Sequence, residues 1–266
     1  MCICMVLACY APALHAQGGA KTGVAAWSFR LFSLEAALDK ADSAGVKYLE
    51  AFEGQPLQNG AGNTFSPAMP ADSILWLKEL LLQKKIQMRS AYLASPSAKE
   101  EWEHVFRFAR ALGLSYITAE PLPQHFDLLD RLGAQYQIKV ALHNHPRGSS
   151  RFWHPDSVLL ALQGRPWLGV CADVGHWARS GINITAALRQ LEGRIIALHV
   201  KDIDALGALD AADVPAGAGA IDFSAVCREM KRQKFKGYYI IEREGNWENN
   251  VTDVKGGVKM LRKKGR

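Results

Sequence analysis

Six places in this 266-residue chain put ionisable side chains directly behind short apolar runs. They read Glu50-Ala51-Phe52-Glu53, Glu120-Pro121, His143-Asn144-His145-Pro146, Asp173-Val174-Gly175-His176-Trp177, His199-Val200-Lys201-Asp202 and Glu242-Arg243-Glu244. A charge closing an apolar run is costly to bury unless it is paired, hydrogen-bonded or bound to metal. One such case would carry little weight, whereas six in the same position imply a shared polar pocket. Imidazole mixed with carboxylate suits one divalent ion of the Mn, Zn, Co or Mg kind, whereas Ca prefers an all-oxygen shell. The same groups can also move protons, and Lys201 adds a cation that could position oxygen atoms.

Elements of two kinds must hold these groups. From Thr22 onward, short β-rich runs alternate with helical periods. The strand candidates are Gly23 to Trp27, Lys47 to Phe52, Gln87 to Tyr92, Ser115 to Glu120, Lys139 to Asn144, Leu168 to Asp173, Arg194 to Val200 and Gly237 to Glu242. Such apolar runs fit strands buried on both faces of a parallel sheet. Between them lie helical periods such as Leu34-Ala37-Leu38-Ala41 and Val105-Phe108-Ala109-Leu112, and Gly45, Gly113 and Gly237 mark expected helix stops. No Ser/Pro-rich linker divides the chain. The expectation is one α/β domain over 22–264, a closed (βα)8 TIM barrel. An open doubly wound sheet would call for a glycine-rich turn after its first strand, and Trp27-Ser28-Phe29-Arg30 contains no glycine.

In such a barrel the functional groups belong at strand C-termini and in the following loops. His143, Asp173, His199 and Glu242 end four consecutive strands, so they can converge as metal ligands. His176, three residues after Asp173, could reach either metal or substrate. The segment Gln55 to Pro70, rich in Gly, Asn and Pro, is expected to be a loop on the same face, as a lid or a wall.

Asp173-Val174-Gly175-His176, Leu198-His199-Val200-Lys201-Asp202, Gly217-Ala218-Gly219-Ala220-Ile221-Asp222-Phe223 and Ile240-Ile241-Glu242 resemble motifs of the xylose isomerase-like barrel superfamily. The nearest likeness is to its sugar phosphate isomerase/epimerase branch. That resemblance implies a metal held by Glu, Asp, His and Glu from strands five to eight, the last three being Asp173, His199 and Glu242 here. It also implies a carbohydrate or keto-sugar substrate and isomerisation or epimerisation through a metal-stabilised enediolate. At strand five the family's glutamate is replaced by His143. The His-Asn-His run is similar to the histidine-rich strand five of inosose dehydratases, so dehydration, hydration or lyase chemistry is the alternative. On this reading Glu242 is a ligand that also moves a proton, and His145 or Glu120 supplies a further base. Lys201 steadies oxygen atoms, while Trp27 forms an apolar floor and Glu50 and His176 bind substrate.

Composition bounds the rest. A 48% apolar fraction supports a large core, and the net charge of +6 is spread over helix faces and the C-terminal tail. That pattern reads as solvated surface, without a nucleic-acid partner. Residues 1–16 form an apolar stretch ending in Ala13-Leu14-His15-Ala16, similar to a secretory signal, which implies export to the periplasm and argues against a phosphorylated intracellular substrate. Val6-Leu7-Ala8 before Cys9 offers a lipoprotein signal as the competing reading. Cys171 and Cys227 both sit in apolar patterns and are expected to be buried free thiols. No later run is long enough for a membrane span. Two rival classes are an endonuclease IV-like nuclease and a non-catalytic sugar-binding barrel. The nuclease would need histidines at the ends of strands two and four, where Glu50 or Glu53 and Glu120 stand, and another after His199, where there is none.

Overall fold

In the computed structural model, which describes residues 20–58 and 62–264, eight parallel strands close into a barrel. They are β1 (Lys21–Ala25), β2 (Tyr48–Phe52), β3 (Gln87–Tyr92), β4 (Tyr116–Ala119), β5 (Lys139–His143), β6 (Leu168–Asp173), β7 (Ile195–Val200) and, eighth in the barrel, β10 (Tyr238–Ile241). A short antiparallel hairpin, β8 (Asp202–Ile203) with β9 (Asp213–Val214), interrupts the connection between the last two. The signal-like segment 1–16 lies outside the described residues. Among those described, no helix is long and apolar enough to cross a membrane.

Helices surround the barrel: α1 (Leu34–Ala44), α2 (Ala71–Lys84), α3 (Lys99–Leu112), α4 (Phe126–Tyr136), α5 (Pro155–Leu162), α6 (Val174–Arg179), α7 (Ile184–Gln190), α8 (Phe223–Arg232) and α9 (Val251–Lys264). Helix α3 illustrates why. Trp102, Val105, Phe106, Ala109 and Leu112 recur at helical spacing and are buried, Glu100 and Glu101 favour the positive N-terminal turn, and Gly113 closes the helix at φ 75°. The layer between sheet and helices holds most of the apolar core. Inside the barrel a smaller cluster alternates small and large side chains, with Ala25, Ala141 and Ala197 against Tyr116 and Ile240. Cys171 belongs to that interior cluster, and both Cys171 and Cys227 are buried free thiols.

Three local expectations change. Trp27 does not end strand one; it lies in the 3-10 turn Ala26–Phe29, because β1 stops at Ala25. Gly237 is not a helix stop: α8 ends at Arg232, and Gly237 lies immediately before β10, where a Cβ would stand 2.2 Å from the Ile196 carbonyl oxygen. Of the segment from Gln55 to Pro70, none of the described residues 55–58 and 62–70 lines the cavity at the barrel mouth. Its Leu57, Phe65 and Met69 are buried in the helix-side core, and the carbonyls of Pro56 and Leu57 accept from the N–H groups of Leu34 and Glu35. It thus satisfies donors at the start of α1 that no turn of that helix can satisfy.

Candidate active site

Strand alternation builds the site. Residues two apart on a strand share a face, so His143 and His145 turn the same way while Asn144 turns away. Asn144 is fully buried and locks β5 to β6: its Nδ2 donates to the Asp173 carbonyl (3.0 Å), and the Asp173 N–H donates to its Oδ1 (2.8 Å). The register sets Asp173 beside His199, and Glu242 follows the last residue of β10. His143, Asp173, His199 and Glu242 thereby meet, with one ligand atom from each lying within 4.8 Å of all the others.

The atoms at this meeting point are specific. His143 Nε2 lies 3.1 Å from His199 Nδ1 and 3.8 Å from Asp173 Oδ2, and His199 Nδ1 lies 3.1 Å from Glu242 Oε2. Asp173 spends Oδ1 on the N–H of His176 (2.9 Å), capping α6. Its Oδ2 is buried with no hydrogen-bond partner. An unpaired carboxylate oxygen among two imidazoles and a second carboxylate is the donor set a divalent cation would complete, so these residues fit a metal. Burial pushes the His143 imidazole down, and the neighbouring histidines push it further below its ordinary value. Burial raises Asp173, but His176, Lys201, His143 and His199 outweigh it and hold the carboxyl well below its usual range.

Beside His199 stands Glu50, expected from the sequence to bind substrate; it lines the cavity and also contacts the histidine. Glu50 is only 2% exposed; its Oε2 accepts from Thr118 Oγ1 (2.7 Å) and its Oε1 faces His199 Nε2 (2.6 Å). Both oxygens are engaged, and the pair leaves His199 Nδ1 as the nitrogen facing the cluster. Carboxylates in this position fix the tautomer and ring angle of ligating histidines. Glu50→Gln is therefore expected to weaken divalent-ion binding about 10–100-fold without unfolding the barrel. Chelator competition reads this directly, and unchanged affinity would deny Glu50 that positioning role.

The other candidates fall into two groups. Glu120, just past β4, is half-buried and faces His145 Nδ1 (2.5 Å), while Tyr92 (2.8 Å) and Ser150 (2.6 Å) donate to it. Burial pushes the His145 imidazole down, but Glu120 more than reverses this and raises it above its ordinary value. Lys201, 1% exposed, reaches Asp173 Oδ2 (3.3 Å), Glu242 Oε2 (3.1 Å), Glu244 Oε2 (3.0 Å) and His176 Nε2 (3.1 Å). Burial would lower it, yet the three carboxylates together hold it above an ordinary lysine. Its stem passes over Gly175, where a Cβ would meet Lys201 Cγ at 2.6 Å, so the glycine of Asp-Val-Gly-His makes room for this cation. His176 lies outside the four-residue group, against Lys201 and Arg179.

Trp27 lines the cavity, with its Nε1 donating to Glu244 (3.1 Å) and its ring edge-on to Phe52 at 5.0 Å. The cavity is about 440 Å³, within the range of small-molecule sites. Tyr92, Phe52, Glu53 and Glu244 also line it and were missed as site residues. The strand-end rule would have found Tyr92, and the spacing of two from Glu242 would have found Glu244.

Fold and site together define a (βα)8 barrel with an imidazole–carboxylate centre at the C-terminal mouth of its strands. The chain belongs to the xylose isomerase-like TIM barrel family, whose pattern matches residues 38–264. A solved protein of Parabacteroides distasonis is 31% identical, covers 93% of this chain and 99% of its own, and superposes with a TM-score of 0.75. The solved IOLI protein with a zinc atom is 19% identical over 92% of this chain and 98% of its own, at a TM-score of 0.73, a likeness of fold. L-ribulose-5-phosphate 3-epimerase UlaE of Escherichia coli is 29% identical over 97 residues, 36% of this chain and 32% of that protein. The curated relatives are matched over only 28% to 44% of their own length.

Proposed function

We propose that this protein is a metal-dependent sugar isomerase or epimerase that shifts a proton at a carbon beside a carbonyl. The observation that carries this reading is the meeting of His143, Asp173, His199 and Glu242 beside a cavity that His143, His199, Glu242 and His145 line, with Glu120 behind His145. A divalent ion held by those four residues would supply charge stabilisation for the enediolate a sugar becomes when it loses that proton. The chain's own groups do the rest. His145, backed by Glu120, and Glu242 both line the cavity from different strand ends, which supports giving them the two proton-transfer roles. One removes a proton and the other returns it, which supplies two-base exchange although His143 stands where the family's ketose epimerases carry a glutamate. Glu120 keeps a proton available on His145, and Lys201 steadies an oxygen of the substrate.

Elimination from a keto-sugar is the second reading, favoured by His143 itself: β-elimination needs one base, and an imidazole ligand leaves the centre without the first glutamate. Incubation of metal-loaded protein with ketohexoses and 3-keto-glycosides in D2O separates the two. Deuterium at the carbon beside the carbonyl, in a returned isomer, is the expected outcome, and Glu242→Gln and Glu120→Gln should each slow it by about 10²–10⁴-fold. A dehydrated product without isomer would install elimination instead. Absence of both exchange and product would leave a sugar-binding barrel.

A further inference from the structure

We propose that the site takes an uncharged sugar and rejects sugar phosphates, an inference that rests on the cavity being the sugar site. Two independent observations carry it. The first is the charge of the lining. Among the described residues, Lys201 is the one lysine or arginine that lines the cavity, against Glu50, Glu53, Glu242 and Glu244. Lys201 is already ion-paired with three carboxylate oxygens at 3.0 to 3.3 Å and lies 3.1 Å from His176 Nε2, so a substrate anion would compete with carboxylates for its charge. Asp173 and Glu242 would offset a divalent ion, and Glu244 is offset by Lys201. Among the described residues no cation pairs with Glu53, whose Oε2 accepts from the Ala94 N–H at 2.8 Å. A phosphate ester brings a charge of about −1.5 to −2 at pH 7 into this lining.

The second observation is that the backbone donors of the glycine loop after β7 are already occupied. In (βα)8 enzymes a phosphate commonly sits on N–H groups of the loops after the last two strands and on a helix N-terminus. Here the glycine loop after β7 closes on a fully buried carboxylate of the chain itself. Asp202 Oδ2 accepts from Gly217 (2.8 Å) and Gly219 (2.9 Å), and its Oδ1 accepts from Ile203 (2.9 Å) and Ile221 (3.2 Å). The glycines let the backbone approach: a Cβ at Gly219 would stand 2.5 Å from Asp202 Oδ1. An internal anion thus fills this nest, so its N–H groups are not available to a phosphate. At the start of α6 the His176 N–H is likewise taken, by Asp173.

What remains suits hydroxyl groups. Glu53 and Glu244 offer acceptors, and the Trp27–Phe52 pair offers an apolar wall for the C–H face of a sugar ring. The exposed cations Arg30, stacked on Trp27 and Trp247, and Arg147, after His145, lie outside the lining.

Calorimetry on the metal-loaded full chain tests this with matched pairs: D-fructose against D-fructose 6-phosphate, and D-ribulose against D-ribulose 5-phosphate. Each free ketose is expected to bind at least about tenfold more tightly than its ester, and Glu53→Lys should narrow that gap by about tenfold, since a cation replaces the unpaired carboxylate. An ester that binds as tightly as its parent ketose overturns the inference while leaving the sugar reading intact. Failure of free ketoses and esters alike to bind, together with no deuterium exchange, removes the sugar reading and this inference with it.

Discussion

Wild-type protein is expected to purify with, or take up, about one divalent transition-metal ion per chain, and His199→Ala and Glu242→Gln are each expected to lose it. His199 touches every other member of the cluster through Nδ1, at 3.1 Å to His143, 3.1 Å to Glu242 and 3.9 Å to Asp173. Its removal takes out the central donor and strands Glu50 without its partner. Turnover in both variants should fall by at least about 10²–10⁴-fold, because both would lose the ion and the proton-transfer role proposed for Glu242 would go with its carboxylate. The pH dependence has a definite sign. Burial lowers the His199 imidazole, but Cys171, Glu242 and Glu50 overcome it and hold the group well above its ordinary 6.5. An ion must displace that proton, so affinity should rise by about tenfold per pH unit until the raised value is passed. The metal-free protein should show the opposite trend. A raised folded-state pKa stabilises fully below the ordinary histidine value, and that stabilisation is lost as pH rises through the folded-state value. Elemental analysis with chelator titrations across pH measures both. Metal retained in both variants would remove the ligand assignment, and three zinc ions per chain would revive the nuclease reading.

Lys201→Met is expected to destabilise the metal-free protein by about 3–5 kcal/mol, the range found when one partner of a buried ion pair is removed. Asp173 is fully buried and Glu242 is 9% exposed, so both would keep negative charge with little solvent to screen it. Glu244, at 25% exposure, adds less. For a domain of this size the loss corresponds to about 6–20 °C in Tm. Methionine keeps the stem that packs over Gly175, so the effect isolates the charge. A divalent ion should then restore much of the lost Tm, because Asp173 and Glu242 regain a cation. Thermal melts with and without Mn or Zn provide the measurement. A Tm within about 2 °C of wild type would show that solvent or proton uptake already compensates these carboxylates.

Much of the architecture is legible in the residues. Seven strand candidates match barrel strands to within one residue at either end, and strand one is offset by two, sharing Gly23 to Ala25 while its expected end at Trp27 is a turn. The reason is that a strand buried on both faces must be apolar throughout, and the charged residue that ends it marks the point where the chain emerges. The same rule delivered His143, Asp173, His199 and Glu242 as neighbours, since consecutive parallel strands in a barrel are adjacent in space.

Partnership was the part that only the closed structure decided. Glu50 and His199 are 149 residues apart, and no local pattern distinguishes a strand-two glutamate facing a sugar from one facing an imidazole. Lys201 could pair with its neighbour Asp202 on sequence grounds, yet barrel closure turns it to Asp173, Glu242 and Glu244, while Asp202 turns to the glycine loop. The segment Gln55 to Pro70 has a loop's composition, and composition cannot say that Leu57 and Phe65 find a core to enter. Period and polarity fix which side of an element is buried, because burial is a property of each residue's own side chain. Which charge meets which depends on strand order, register and the space left by residues such as Gly175, and these are settled only when the eighth strand closes on the first.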